Sequence, residues 1–220
     1  MVLKELLSFL KELKANNEKA WFDAHKKQYE SLRKEWILLV EQAIKKVGAF
    51  DKDVALLEPK KCIFRINRDI RFSKDKSPYK TNFGMSLSKI GKKDNFCGYY
   101  LHIEPGNSFV AGGVYLPMPD KLAAIRQEID YNLDAFESIV GKADFKSSFG
   151  KLSGESLQRP PKGYDINNPA LPYLKLKSFI AEKKFSDKEV CAPDFTDQVY
   201  ASFKKMYPLT QFLSAAMHED

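Results

Sequence analysis

The chain has 220 residues, of which 44% are hydrophobic and 30% charged, an ordinary globular balance with enough apolar material for a sizeable core. Its 36 Lys and Arg exceed its 29 Asp and Glu by a formal charge of +7, which permits nucleic acid or anionic metabolites as partners. No apolar run approaches the roughly 20 residues that span a bilayer, so we expect no membrane segment. The cysteines Cys62, Cys97 and Cys191 are odd in number and widely spaced, which argues against disulfides and structural zinc and favours a reducing, cytoplasmic setting.

Two helices are predicted at the start of the chain. Leucines at positions 3, 6, 7, 10 and 13 fall on one face of the first helix. A longer helix is expected over residues 18–47, because apolar and aromatic side chains recur there at intervals of three and four. This stripe consists of Trp21, His25, Tyr29, Leu32, Trp36, Val40, Ala43 and Val47. Its spacing indicates a core-facing helix, with His25 as a packed histidine.

The middle of the chain is predicted to form strands. Residues 63–72 alternate apolar with polar, which places Phe72 toward the core. Arg68 falls on the apolar side, so the strand either ends near Asn67 or turns Arg68 inward toward a partner. A short strand is expected at 84–88 and a turn at 91–94.

An antiparallel hairpin is predicted from residues 98–104 and 108–115, joined across Pro105-Gly106-Asn107. The alternation places Leu101 and Ile103 toward the core and Tyr100, His102 and Glu104 on the opposite face. Glycines 112 and 113 lie inside the second strand, where glycine often marks the close approach of a ligand or another backbone.

The last hundred residues are predicted to be mostly helical. Helices are expected at 119–132, 133–140, 194–206 and 209–217, and a strand at 142–149, whereas residues 173–185 fit no pattern well. The Pro-, Gly- and Asn-rich segment 154–172 reads as a long ordered loop, anchored by Leu157, Tyr164, Ile166 and Leu171. We therefore predict a single α+β domain over residues 1–220, with an antiparallel sheet packed by N-terminal and C-terminal helices.

The most informative stretch is RINRDIRFSKDKSPYKTNFG, residues 65–84, in which six basic residues face only Asp69 and Asp75. Arginine carries a planar fork of donors that matches phosphate or carboxylate. We predict an anion site with Tyr79 as a hydroxyl donor. Its cations are Arg65, Arg68, Arg71, Lys76 and Lys80. Two alternatives stay open: a structural arginine–carboxylate network that pins the loop, and a plain solvated surface.

A second candidate segment is the loop RPPKGYD, residues 159–165. Two prolines fix its backbone and Gly163 permits an unusual one, so the loop is suited to present Arg159, Lys162 and Tyr164 to the same ligand. Proline also serves loops that merely need shape, and the sequence does not decide between the two.

His102 and Glu104 place an imidazole and a carboxylate on one strand face. They are suited to acid–base work or to a metal, but no suitably spaced third ligand follows, so no metal is predicted. The plainer alternative is a partly exposed histidine beside a hairpin glutamate. If chemistry occurs, Asp69 or His102 is the candidate base.

The tract also carries a resemblance. The pattern R-x-x-R-D-x-R-F, then D-K-x-x-Y-K-x-x-x-G, resembles the signature of a bacterial family known as domain-of-unknown-function family 2461. The AGGVY strand and the RPPKGYD loop are similar to that family as well. The resemblance implies a bacterial-type cytoplasmic protein and supplies no activity, substrate or cofactor.

These observations favour a protein that recognises an anionic small molecule bearing phosphate or carboxylate, with enzymatic activity left open. The phosphate loop, the dinucleotide fingerprint and H-E-x-x-H are missing, and we predict no cofactor. One alternative is a nucleic-acid-binding module, which the net charge and the interleaved aromatics permit. Another is an interaction protein in which the Arg–Asp network is purely structural.

Overall fold

The computed structural model describes residues 2–88 and 97–217, and the turn predicted at 91–94 lies outside them. In chain order its elements are α1 (Val2–Ala15), α2 (Lys19–Ala24), α3 (Lys26–Gly48), α4 (Lys52–Ala55), a 3-10 turn (Pro59–Lys61), β1 (Phe83–Ser88), β2 (Gly98–Ile103), β3 (Ser108–Val114), α5 (Pro119–Tyr131), α6 (Leu133–Val140), α7 (Ala143–Phe149), α8 (Leu171–Leu174), β4 (Phe179–Phe185), α9 (Asp187–Val190) and α10 (Phe195–Met217). In the described ranges, no helix has the length and apolar character that crossing a bilayer requires.

The strands form one antiparallel sheet in the order β1-β2-β3-β4. The predicted α+β class, the β2–β3 hairpin and the short strand β1 are thereby confirmed. Helices α5 to α8 intervene between β3 and β4, so the fourth strand returns to pair with the third. A single bridge borders each outer strand, from Ile63 to Met85 on β1 and from Ser153 to Ile180 on β4. These short pairings limit the unpaired sheet edge that would otherwise be open to another strand.

The inner face of the sheet packs on α10. Leu101, Ile103 and Val110 are fully buried there, and the rings of Tyr99 and Phe203 lie 5.2 Å apart. A Cβ on Gly112 would lie 2.7 Å from the sulfur of Met206, so this glycine lets the helix approach the sheet. Tyr100, His102 and Glu104 lie on the opposite face, as the alternation of β2 predicted. We call that opposite side the outer face.

The predicted helices at 119–140 were confirmed, whereas two other helical predictions and the strand predicted at 142–149 were wrong. The long second helix is interrupted at His25, whose ring is half-buried and stacks on Trp21 at 3.9 Å between centroids. Residues 142–149 contain helix α7, because Phe145 and Phe149 lie four residues apart on one buried helical face. The two predicted C-terminal helices are one helix, α10, which continues through Pro208.

The predicted strand at 63–72 is also wrong. Only isolated bridges occur there, from Ile63 to Met85 and from Asn67 to Tyr79, and the side chain of Phe72 is 95% exposed. The backbone instead folds back on itself, with the Arg68 amide donating to Pro78 O and the Lys80 amide to Ile66 O. Ile166, a predicted loop anchor, is 65% exposed, whereas Tyr164 packs against the core. The single-domain organisation stays a prediction.

Tyr99 ties the inner face of the sheet to the end of α3. Its hydroxyl donates to Asp51 Oδ2 at 2.8 Å and lies 3.1 Å from the Thr210 hydroxyl. Asp51 is 6% exposed, and its Oδ1 accepts from the Asp53 amide at 3.2 Å. Burial raises the pKa of Tyr99, so the phenol stays protonated and the buried carboxylate keeps its donor.

We expect Tyr99→Phe to lower the free energy of unfolding by about 1–3 kcal/mol, because a buried carboxylate loses a hydrogen bond. Urea denaturation measures this change. The matched control is Tyr131→Phe, since the Tyr131 side chain is 73% exposed; it should change stability by about 0.5 kcal/mol or less. Equal losses in the two variants would contradict this role for Tyr99.

Candidate functional site

The basic tract is held together largely by its own ion pairs. The Arg68 guanidinium donates to Asp75, to Ser77 O at 3.0 Å and to the Ser73 hydroxyl at 3.3 Å. Arg68 therefore turns partly inward and finds a partner, one of the outcomes that its position in the sequence predicted. Hydrogen bonds from Ser77 and Arg68 lower the pKa of Asp75 to about 2.

Arg71 and Asp69 form a second pair, on the exposed side of the tract. Arg71 Nε and Nη2 donate to the two oxygens of Asp69 at 2.9 and 2.7 Å. These hydrogen bonds lower the pKa of Asp69, which makes its carboxylate a weaker base. Lys76 Nζ donates to Ile70 O at 3.0 Å and closes the tip of the loop.

A cleft of about 340 Å³, which we call the groove, lies beside this tract. It is lined by Lys14, Asn17, Arg68, Asp75, Ser77, Tyr79, Lys80, Thr81 and Asn82. The ring of Tyr79 is buried and stacks on Phe22 at 4.0 Å between centroids, while its backbone exchanges two hydrogen bonds with the Asn17 amide. The groove thus contains three cationic side chains and one carboxylate.

Not every predicted site residue lines the groove. Its lining includes Arg68, Tyr79 and Lys80, but it does not include Arg65, Arg71 or Lys76. Arg159, Lys162 and Tyr164 are not among its lining residues either. A role for these six residues in ligand binding stays a prediction.

The 159–165 loop packs on α5. Asn168, a little further along, donates to Asp130 on α5 at 2.6 Å, and Arg126 Nη2 donates to Leu176 O at 3.1 Å. Burial raises the pKa of Tyr164, and the charge of Asp130 adds to this effect. Arg159 and Lys162 are exposed.

A larger cavity of about 800 Å³ lies on the outer face of the sheet, and we call it the basin. Small residues of the strands form its floor, and aromatic side chains form its walls. Its lining includes Phe64, Ser86, Ser88, Gly98, Tyr100, Phe109, Ala111, Gly113, Tyr115, Leu116, Ser153, Gly154, Ile180 and Glu182. Pairing of the strands aligns Ser86, Tyr100, Ala111 and Glu182 in one row across the sheet.

A chain of hydrogen bonds leads away from the basin through Tyr100. The Tyr100 hydroxyl lies 2.9 Å from His102 Nδ1, and His102 Nε2 lies 3.2 Å from Glu104 Oε2. We call these three side chains the relay. A Cβ at Gly84 would lie 2.8 Å from the Tyr100 hydroxyl oxygen, so the glycine leaves the room that this hydroxyl occupies.

Neighbouring side chains fix the far end of the relay. The Thr81 hydroxyl donates to Glu104 Oε1 at 2.8 Å, and the Asn107 amide donates to Glu104 Oε2 at 3.1 Å. The Asn82 amide nitrogen lies 3.3 Å from His102 Nδ1, and the ring of Phe109 stacks on the imidazole at 4.8 Å. Thr81 and Asn82 also line the groove, so the relay lies between the groove and the basin.

The pKa directions specify how the relay is protonated. Burial lowers the pKa of His102, although Glu104 opposes this, so the imidazole is neutral at pH 7. Burial alone would raise the pKa of Glu104, but its donors Asn107, Thr81 and His102 bring it below its ordinary value. Because an ionised carboxylate only accepts, the imidazole proton sits on Nε2, and Nδ1 accepts from the Tyr100 hydroxyl.

Tyr100 itself stays protonated at neutral pH. Burial, with a contribution from the charge of Glu104, raises the pKa of Tyr100 to about 12. A neutral phenol that donates to a neutral imidazole, which in turn donates to a carboxylate, is an arrangement that can move a proton. Across the described ranges, no three His, Cys, Asp or Glu side chains are grouped to hold a metal ion.

Sequence reasoning singled out His102 and Glu104 but missed Tyr100 and Glu182 as site residues. Tyr100 shares the strand face of His102, so the same alternation carries the signal for it. Glu182 lies in residues 179–185, where two adjacent lysines obscure the strand pattern. Ala111 follows from the hairpin predicted across Pro105-Gly106-Asn107, whereas Ser86 joins the site only through pairing of β1 with β2, for which the sequence gives no local signal.

Comparison with known families is decisive on one point. The model of a family described as "Conserved hypothetical protein (DUF2461)" matches residues 5–212. The chain belongs to this family. No curated protein and no solved structure matches the chain significantly. Membership in DUF2461 confirms the family predicted from the sequence.

The protonation of the relay can be tested by nuclear magnetic resonance of the imidazole nitrogens. We expect His102 to be the Nε2–H tautomer and to titrate below 6.5, its ordinary value. Since the unfolded chain protonates near 6.5, neutral His102 stabilises the fold above that pH, and this contribution is lost as the pH falls below it.

A carboxylate variant sharpens the same test. Glu104→Gln should lower the pKa of His102 further, because the charge of Glu104 raises it. Asp134→Asn, which removes an exposed carboxylate from α6, serves as the control and should leave the His102 titration in place. An Nδ1–H tautomer would show that the Tyr100 hydroxyl does not donate to Nδ1, and a titration above 6.5 would show that the pKa of His102 is not lowered.

Proposed function

We propose that this protein binds a small organic molecule in the basin and moves a proton to or from it through Tyr100, as an acid–base enzyme. The observation that carries the proposal is the hydrogen-bond chain from Tyr100 to His102 to Glu104, which starts at a ring lining the basin. General acid–base catalysis requires a titratable group of this kind within hydrogen-bond reach of the ligand.

The proton movements follow from the protonation of the relay. A ligand hydroxyl, or another acidic group, gives its proton to the Tyr100 oxygen while the phenol proton passes to His102 Nδ1. The imidazolium that forms keeps its Nε2 proton and is stabilised by ionised Glu104, which is not itself protonated. Running the same steps in reverse delivers a proton to the ligand. No atom or electron beyond these protons is exchanged.

The basin suits a small ligand in size and in lining. Its volume of about 800 Å³ falls within the range of roughly 300–1,000 Å³ that ligand pockets occupy. Rings of Phe64 and Phe109 lie 5.9 and 5.7 Å from the ring of Tyr100, so the reactive hydroxyl belongs to an aromatic wall. Such a wall limits access of water to the hydroxyl and strengthens the hydrogen bonds of the relay.

The proposal predicts that Tyr100→Phe, which removes only the phenolic oxygen, strongly lowers the rate of any reaction in the basin. In a panel of small molecules that carry acidic C–H, hydroxyl or ester groups, any turnover by the protein should fall by about 10²- to 10⁴-fold in Tyr100→Phe. Tyr131→Phe, which changes a tyrosine outside the basin lining, should keep the original rate. Turnover that survives in Tyr100→Phe would refute proton transfer at this residue.

Anion recognition is a second candidate function, centred on the groove. The observation in its favour is the lining itself, in which Lys14, Arg68 and Lys80 surround one carboxylate, Asp75. Arg68 already donates to Asp75 and Ser77, so Lys14, which is exposed, is the cation best placed to receive an added anion. Phosphate and carboxylate both suit such a site.

This candidate can be tested by titrating the protein with inorganic phosphate and following backbone amide shifts around Asn17 and Thr81. Lys14→Gln should weaken phosphate binding about twofold to fivefold, as expected for an exposed charge. Lys34→Gln is the matched control, because it removes the same charge from an exposed position outside the groove. Equal weakening by both variants would indicate a general charge effect.

The hypotheses of nucleic-acid binding and of a purely structural Arg–Asp network are each supported by one feature of the tract. The exposed ring of Phe72, with the Arg71 guanidinium 5.8 Å from its centroid, is the feature that favours nucleic acid. The ion pairs of Arg68 and Arg71 equally support a structural network. A cytoplasmic location stays a proposal, supported by three cysteines that form no disulfide in the described residues.

A further inference from the structure

We infer that the ligand of the basin carries a positively charged nitrogen, held by Glu182 and the aromatic wall. The inference rests on the proposed function, because it names the class of molecule that would occupy the same cavity. It starts from one carboxylate, Glu182, which lines the basin two strands away from Tyr100.

Strand pairing places Glu182 opposite Tyr100. Ala111 on β3 pairs with Tyr100 on one side and with Glu182 on the other. Since neighbouring strands lie about 4.8 Å apart, the two backbones are separated by roughly 10 Å. Ala111 has only a methyl group between them, so the cavity stays open over the strand that separates the two residues.

Among the residues that the structure describes, Glu182 is the one ionised side chain in the basin lining. The other polar side chains that line the cavity are neutral serines and tyrosines. Glu182 is half-buried, and its carboxylate forms no hydrogen bond or ion pair with residues 2–88 and 97–217. A partly desolvated carboxylate without a partner is unfavourable, so a bound cation would gain the interaction that the protein leaves unmade.

The aromatic wall favours the same charge. Phe64, Tyr100, Phe109 and Tyr115 line the basin, and the faces of such rings attract ammonium groups. The local charge of the basin is opposite to the formal charge of +7 of the whole chain. An anionic ligand would meet the carboxylate of Glu182, and the described part of the lining offers it no cation.

The nearest lysine on the same strand face is Lys184, two residues along β4. Lys184 is exposed and is not part of the basin lining. It provides a matched control, because Lys184→Gln removes a charge of the opposite sign close to the same cavity.

The test compares three probes of similar shape: benzylammonium, benzyl alcohol and benzoate. Amide shifts of β3 and β4 report binding in the basin and give the affinity of each probe. We expect benzylammonium to bind best and Glu182→Gln to weaken it about tenfold, while the affinity for benzyl alcohol stays unchanged. Lys184→Gln should leave benzylammonium binding unchanged or strengthen it.

Two results would overturn the inference. One is benzoate binding as tightly as benzylammonium, and the other is benzylammonium binding that Glu182→Gln leaves unchanged. Absence of all three probes from the basin would also count against a cation site. The loss of turnover in Tyr100→Phe is measured separately, so proton transfer can fail or hold independently of the charge of the ligand.

Discussion

The register of β2 is the constraint on which both the core and the candidate site depend. Successive residues of a strand point to opposite faces, so Leu101 and Ile103 enter the core only if Tyr100 and His102 face outward. A slip by one residue would bury the imidazole and expose the leucine. The buried hydrogen bond from Tyr99 to Asp51 opposes that slip, because it joins the inner face of β2 to the end of α3. The positions of the relay side chains are thus fixed by a strand whose inner face is buried in the core.

The basic tract contributes to the same site as a support. The Arg68 side chain forms hydrogen bonds with both Ser73 and Ser77, and two backbone hydrogen bonds join residues 66–68 to residues 78–80. Thr81 and Asn82 directly follow residues 78–80, and they contact Glu104 and His102 respectively. Loss of the Arg68–Asp75 pair would therefore disturb the positions of Thr81 and Asn82, and through them the relay, although neither Arg68 nor Asp75 belongs to the relay. The arginine-rich tract and the acid–base residues are parts of one structure.

The sequence was informative where one local period dominated and uninformative where distant segments meet. Period-two alternation predicted both faces of β2, and the 3.6-residue stripe predicted the buried side of α3. Residues 63–72 also alternate, except at Arg68, yet the ion pair of Arg68 and the hydrogen bond of its amide to Pro78 bend the backbone out of a strand. The basin forms because β4 pairs with β3, although four helices separate the two strands along the chain. Nothing within residues 179–185 specifies β3 as the partner strand. For the same reason Glu182 could not be predicted to lie opposite Tyr100.

Net charge is a poor guide to the ligand of this protein. Arg68 and Arg71, two of the three arginines that first indicated an anion, pair with Asp75 and Asp69, so two of the six positive charges of the tract are balanced internally. The basin, a short distance across the sheet, has a carboxylate as its ionised group. Lys80 and Phe64 mark the boundary, since Lys80 lines the groove, Phe64 lines the basin, and the Lys80 nitrogen lies 5.4 Å from the centre of that ring. Because desolvation and distance decide electrostatic recognition within a few ångströms, each cavity must be judged by its own lining. By that criterion we propose a cation as the ligand of the basin and an anion as the ligand of the groove, although both cavities belong to one basic chain.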